Sequence, residues 1–292
     1  MVRNIKSRIA GKFFSHLVFV ILSALCLTPI LLLLSVSLSD NGEILRDGYS
    51  LIPRGINLEA YIYLSKDLTK IAQAYGITFI STFFGFIGAL ICTVMLAYST
   101  SRKDFKYRKA VTLIVFFTML FHAGLFPTYI WITKYLQLKN NILVMIVPGF
   151  VTAWYVMLMR SFFEAIPEEI IEAAIVDGCG NMRVLLKIVV PLSKPALATV
   201  SLFIILKYFN DWQTSMLYMD SSRVSIQYFL YKTMNNLSEA QNNTIGFSSY
   251  EDFPQEPVRM AIAVITVFPV VVLFPFLQKY FVRGITIGSV KG

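Results

Sequence analysis

Lys207 and Asp211 stand four residues apart in an otherwise apolar run, 196–218, with Asn210 and Trp212 beside them. On a helix that spacing puts both charges on one face, where they could partly neutralise each other. A charge at mid-membrane costs about 2.5–3.5 kcal/mol on insertion scales, so the pair requires a reason. Two readings stay open: a structural ion pair, or polar groups beside an aromatic plate lining a path for a hydroxyl-rich solute. Other chemistry is missing from the chain. Paired catalytic carboxylates, a His cluster and a nucleophile motif are absent, and no G-x4-G-K-[ST] loop could cradle phosphates. His122 reads as a packed residue and His16 as a helix-start residue, with no metal site. Cys26, Cys92 and Cys179 read as reduced and structural.

The elements that position these residues follow from composition. Of 292 residues 56% are apolar and 15% charged, with mean hydropathy +0.65; a soluble domain averages about 25% charged. The chain has too few charges to cover a water-facing surface and belongs in a membrane. Crossing a hydrocarbon core of about 30 Å takes about 20 mainly apolar residues, and six stretches meet or approach that length: 15–38, 75–98, 110–131, 141–159, 196–218 and 258–281. Alternating barrel strands are absent, so the expected fold is an all-α integral membrane protein with six transmembrane helices. The first run exceeds a signal-peptide core and lacks a small-x-small site, so it reads as an uncleaved helix. No internal repeat or low-complexity tract is evident, and 1–292 reads as a single transmembrane domain. Tyr129, Trp131, Trp154 and Tyr155 read as membrane-interface aromatics.

Basic residues are retained on the cytoplasmic side. With the N-terminus inside, the inner segments 1–14, 99–109, 160–195 and 279–292 hold 16 of the 26 basic residues and 6 of the 17 acids. The outer segments 39–74, 132–140 and 219–259 hold 9 basic residues and 10 acids. Both termini are therefore expected in the cytoplasm. The cluster Arg102, Lys103, Lys106, Arg108 and Lys109 reads as a topology anchor on anionic lipid, not as a nucleic-acid site.

The inner segment 160–195 is longer than a turn requires. Pro167 suits the first helical position, and Glu168 and Glu169 fall where a helix dipole favours negative charge. Ile171, Ala174, Ile175 and Gly178 follow i, i+3, i+4, i+7 spacing, leaving Glu168, Glu169 and Glu172 on another face. The helix should stop at Gly178-Cys179-Gly180, about 18 Å from Pro167. Asn181 can cap a second short helix bearing Leu185, Ile188 and Val189, ended by Pro191. An amphipathic helix resting on lipid would carry basic residues on its polar face. This polar face is acidic, which favours docking against another protein.

Glu172-Ala173-Ala174, Gly178, Ile188 and Val190-Pro191 resemble the EAA loop of ATP-binding-cassette importer permeases, EAA-x3-G-x9-I-x-L-P, with Val190 in place of Leu. Arg160-Ser161-Phe162-Phe163 with Ile166-Pro167, Asn210-Asp211-Trp212, and the tail Tyr280 to Gly292 are similar to the sugar-uptake, maltose-type second permease subunit. Gly124 to Tyr129 and Ser50 to Gly55 are similar to its complex-oligosaccharide branch. The resemblance implies a type I ABC importer permease bundle in the bacterial cytoplasmic membrane. It would work with a second homologous permease, two ATPase subunits and an extracellular solute-binding protein, and would translocate an oligosaccharide. No cofactor would be bound by this chain; ATP and Mg would reside on the ATPase.

The resemblance also distributes roles. Glu172, Ala173, Ala174, Asp177, Gly178, Ile188 and Pro191 would form the coupling element, with Ala173, Ala174 and Gly178 allowing close contact. The tail 282–292, through Gly284, Gly288, Lys291 and Gly292, would reach the ATPase as an extended peptide. Lys207, Asn210, Asp211 and Trp212 are candidates for the translocation path. In the polar outer loop 219–257, Tyr228, Tyr231, Asn242, Phe247 and Tyr250 are candidates for contact with the binding protein, and 39–74 is a second docking surface. The alternatives are the same machine carrying a peptide or glycerol phosphate derivative, or a secondary transporter, for which several spans should hold ionisable groups.

Overall fold

The computed structural model describes residues 2–243 and 254–288. In chain order the helices are α1 (Val2–Ser37), α2 (Asn41–Asp47), α3 (Glu59–Ser65), α4 (Leu68–Ser101), α5 (Arg108–Leu120), α6 (Leu125–Tyr135) and α7 (Leu143–Gly149). They continue with α8 (Ala153–Glu164), α9 (Glu168–Val176), α10 (Asn181–Leu192), α11 (Lys194–Phe209), α12 (Gln213–Tyr218), α13 (Ile226–Asn243) and α14 (Gln255–Gly288). No strand occurs among the described residues. Three helical stretches are each long and apolar enough to cross a membrane alone: Phe14–Ser37, Leu68–Ser101 and Gln255–Val272.

The other expected spans are broken. α5 and α6 meet at 114°, α7 and α8 at 43°, and α10 meets Lys194–Tyr218 at 87°; the candidate spans number up to six only if each bent pair counts as one. The run 110–131 fails as one helix because the backbone turns extended at Phe121 and Gly124 takes φ +85°, a conformation available to glycine without steric cost. The run 196–218 ends its first helix at Phe209, and Asn210-Asp211-Trp212 form the corner. Apolar composition fixes the medium a segment prefers, not its straightness.

Contacts divide the chain into two compact units where the sequence reads as one domain. One unit comprises the described parts of Met1–Leu68 and Lys232–Pro269. None of the most apolar window of Phe14–Ser37 is buried within the chain. The segment expected as an outer loop, 39–74, is folded. Asp40 Oδ1 accepts the amides of Gly42 (2.8 Å) and Glu43 (3.2 Å), capping α2. Tyr49 donates to Glu256 Oε2 at 2.7 Å, and Arg259 reaches Glu256 Oε1 at 2.7 Å. The hydrogen bond to the Glu256 carboxylate, aided by desolvation, raises the Tyr49 phenol above its ordinary value.

The other unit comprises the described parts of Thr69–Tyr231 and Val270–Gly292. Its core joins Ala89, Val156, Met159, Val184, Val189, Val200, Ile204 and Tyr208 to Ile171 and Ala174 of α9. On α4, Gly85 and Gly88 admit the rings of Tyr208 and Phe150. A Cβ built on them would lie 2.4 Å and 2.3 Å from ring atoms. The expected loop 219–257 contains α13, eighteen residues long. The tail glycines Gly284 and Gly288 lie on the continuous helix α14 and not in an extended peptide. Propagating an existing helix costs far less than nucleating one, so a long span carries its ends along.

Candidate functional sites

The first site is the α9 segment. Pro167 stands at the N-cap, one position earlier than expected, and Glu168 and Glu169 occupy the first turn. At the C-terminal end the Gly178 amide donates to Ile175 O at 2.9 Å and the Cys179 amide to Ala174 O at 2.9 Å, with Gly178 at φ +82°. This pair of bonds is a Schellman turn. A Cβ on Gly178 would meet nothing within 4 Å. Glycine is therefore required here for its left-handed backbone, and within this chain nothing crowds it. Asn181 makes no capping bond; Gly180 is the N-cap. Nor does Pro191 end the second helix. A π turn over Leu185–Val189, closed by Val190 N to Leu185 O, carries the chain through Pro191 to Leu192.

Burial sorts the α9 residues. Ile171 and Ala174 are buried in the chain's own core, and Ile188 packs against the same cluster. The expected apolar face is narrower than the spacing implied, because Ile175 is exposed. Glu172, Ala173, Asp177 and Gly178 are exposed, and Val176 is 87% exposed. The free surface of α9 thus combines a carboxylate, a small residue and a bare valine, while Ala174 faces inward.

A frame of ion pairs, not legible in the sequence, surrounds this segment. Glu164 Oε1 accepts from Arg108 Nη2 at 2.6 Å and Arg160 Nε at 3.0 Å. Arg108 Nε also donates to Thr100 O (2.9 Å), and Arg160 Nη1 to Thr112 Oγ1 (2.8 Å). Lys103 pairs with Glu168, and that bond raises the Lys103 pKa above its ordinary value. The end of α4, the start of α5 and the end of α8 are thereby tied to the residues that launch α9. Two members of the expected lipid anchor, Lys103 and Arg108, instead hold acids of this segment.

The second site forms at the other end of α11, which at 1.5 Å per residue runs about 24 Å from Lys194 to Phe209. Because the helix stops there, Asp211 leaves the register of Lys207. Asp211 Oδ1 accepts the Thr214 amide at 3.0 Å, and among the described residues no ion pair involves Lys207. The four-residue pairing expected from the sequence is not made. Lys207 Nζ donates instead to Thr152 Oγ1 at 2.9 Å and to Gly149 O at 3.5 Å.

The corner also gathers residues from the start of α13. Ser225 Oγ donates to Asp211 O at 3.1 Å and accepts the Tyr228 amide at 3.3 Å, while the Ile226 amide donates to Thr78 Oγ1 of α4 at 2.9 Å. Tyr231 then stacks on Trp212 with ring centroids 4.6 Å apart, and Tyr228 stacks on Tyr231 at 6.2 Å. Gln227 Nε2 donates to Asn210 Oδ1 at 3.3 Å. Two of the binding-protein candidates, Tyr228 and Tyr231, thus join the path candidates in one cluster. It adjoins a cavity of about 390 Å³ lined by Lys207, Asn210, Asp211, Trp212 and Gln213, within the range of about 300–1,000 Å³ usual for small-molecule sites. Asn242 lies on α13, whereas Phe247, Tyr250, Lys291 and Gly292 fall outside the described residues. Elsewhere Tyr129 stacks on Tyr218 at 5.5 Å, and Trp154 meets Phe203 edge-on at 5.3 Å. Among the described residues no group of His, Cys, Asp and Glu could hold a metal.

Comparison with known proteins gives these sites a context. A family model described as the binding-protein-dependent transport system inner membrane component matches residues 89–287. A polygalacturonan/rhamnogalacturonan transport system permease protein of Bacillus subtilis (strain 168) is 33% identical over 277 residues, covering 94% of this chain and 96% of its own length. An arabinooligosaccharides transport system permease protein of Halalkalibacterium halodurans is 27% identical over 278 residues, covering 94% of each chain. A solved bacterial ABC transporter involved in import of the acidic polysaccharide alginate contains a chain that superposes with a TM-score of 0.79. The two are 29% identical over 94% of this chain and 97% of the other.

Proposed function

The chain belongs to the family of binding-protein-dependent transport system inner membrane components, as a multi-pass protein of the bacterial cytoplasmic membrane, and from that premise we propose that it imports an oligosaccharide. In this reading it is one permease subunit of an ATP-driven machine. A second homologous permease, two ATPase subunits that bind ATP and Mg, and an extracellular binding protein complete the assembly. The chain itself catalyses nothing. Its bent helix pairs count as single spans, giving six, with both termini and α9 in the cytoplasm; the excess of basic residues on that side supports this topology.

The observation that carries the coupling role is the outward face of α9, where exposed Glu172, Ala173 and Val176 sit on a helix whose opposite face belongs to the core. A cleft of the ATPase takes that face, with a basic residue opposite Glu172. Closure on ATP then displaces α9 and the bundle with it. The tail through Gly284, Gly288, Lys291 and Gly292 makes a secondary contact. At the far end, stacked Trp212, Tyr231 and Tyr228 beside the Asn210–Gln227 amide pair supply ring faces and hydrogen-bonding groups, as sugar rings require. That chemistry and the names of the relatives support an oligosaccharide.

Glu172→Lys tests the coupling role. The substitution reverses an exposed charge and leaves the core untouched, so insertion should be normal. ATPase co-purification and uptake in proteoliposomes should fall about tenfold or more, as when a paired interface charge is opposed. Undiminished ATPase binding together with undiminished uptake would remove the role assigned to Glu172.

A further inference from the structure

Resting on the oligosaccharide reading, we propose that the cavity at the α11–α12 corner is a subsite for a carboxylate-bearing sugar unit, a uronate, and that Lys207 is its charge-reading residue. The argument begins with cost. An ammonium in a membrane-spanning segment is expensive and is kept for a function. Asp211 does not supply its counter-charge as an ion pair, because the helix ends at Phe209 and Asp211 Oδ1 caps α12 through the Thr214 amide. As hydrogen-bond partners Lys207 has a hydroxyl at 2.9 Å and a carbonyl at 3.5 Å, both neutral, with the Tyr208 ring 5.8 Å away and the Asp211 carboxylate acting on it only through space.

Three donor hydrogens serve that ammonium, so an incoming acceptor can complete its coordination from the cavity that it lines. A neutral hydroxyl would be served equally well by an uncharged amide, and Gln227 with Asn210 already provides one alongside. An anion in direct contact uses the charge more fully than Asp211 does through space. A fully ionised inorganic anion would meet Asp211 on the same wall with no hydroxyl to offer it. A uronate brings both features: a carboxylate for Lys207 and ring hydroxyls that donate to the Asp211 carboxylate. Its ring can pack on Trp212, which lines the cavity, is 38% exposed and is backed by the stacked Tyr231.

The test uses the assembled importer in proteoliposomes with trigalacturonate and trimannuronate, each compared with its neutral methyl ester. Lys207→Gln should raise KM for a transported acid about 10- to 100-fold, the loss of a charge-assisted hydrogen bond. KM for the ester should stay unchanged, and Lys207→Arg should restore discrimination. Because one binding protein serves all variants, a change in the acid-to-ester ratio reports on this chain. In the unmutated complex the same pairing should appear as protection of Lys207 from amine acylation by the acid and not by the ester, whether or not a neutral variant assembles. Equal effects of Lys207→Gln on acid and ester, no effect on either, absence of protection, or transport of neutral oligosaccharides alone would each overturn the subsite while leaving oligosaccharide import standing. Transport of no saccharide at all would instead overturn the reading on which it rests.

Discussion

Glu164→Gln should weaken the α5–α8 junction from which α9 is launched, without touching the surface that α9 presents. One carboxylate oxygen of Glu164 serves both Arg108 and Arg160, at 2.6 and 3.0 Å, and the side chains are 37%, 28% and 16% exposed respectively. Breaking a fully buried pair costs about 3–5 kcal/mol, while an exposed pair contributes about 0–1 kcal/mol. Intermediate exposure places this loss at about 1–2 kcal/mol, since glutamine keeps the shape and one acceptor but leaves two guanidinium charges facing each other. Unfolding of the purified chain in a denaturing-detergent titration should show that loss at neutral pH, and it should shrink in high salt as the remaining repulsion is screened. In proteoliposomes ATPase co-purification should persist, while solute molecules moved per ATP hydrolysed should fall. A stability change below about 0.3 kcal/mol together with an unchanged transport-to-hydrolysis ratio would refute the claim that the Glu164 ion pairs steady the base from which α9 is launched.

Gly85→Ala should destabilise the unit it belongs to. The added methyl would lie 2.4 Å from the buried Tyr208 ring; overpacking costs about 1–3 kcal/mol, offset by up to about 1 kcal/mol of helix propensity, a net loss the same titration would detect. Tyr49→Phe should show a pH-dependent deficit. The Tyr49 pKa is raised by its hydrogen bond to Glu256, so that bond's stabilisation is present below the ordinary phenol value of 10.0 and disappears as pH rises through the raised one. Wild type should therefore exceed the variant at pH 8, by less than about 1 kcal/mol because the site is half exposed, and converge on it in strong alkali.

What the sequence disclosed and what it hid divide along a physical line. The α9 helix, its acidic first turn and its stop at Gly178 were legible because capping, dipole and left-handed backbone are decided within a few residues. Ala174, expected in the coupling element, packs inward, since periodicity marks a face without saying what covers it. Lys207 and Asp211 were expected to pair from spacing that presumes an unbroken helix; Asn210 and Asp211, poor helix formers ahead of a polar stretch, were the available warning. The Glu164–Arg108 bond joins residues 56 apart, and the Tyr231–Trp212 stack depends on a turn through Ser225; neither has a local signature. Ser225 before an amphipathic run was a capping signal that would have revealed α13.

The continuity of one apolar cluster from α9 to Tyr208 carries a mechanical consequence. Ile171 and Ala174 belong to the same packed interior as Met159, Val200, Ile204 and Tyr208, and Tyr208 adjoins Lys207 in the chain. Interiors at this density are nearly incompressible. A push on α9 that loads Ile171 and Ala174 is therefore passed on through that packed path toward the wall of the Lys207 cavity, with side-chain packing itself serving as the connecting rod.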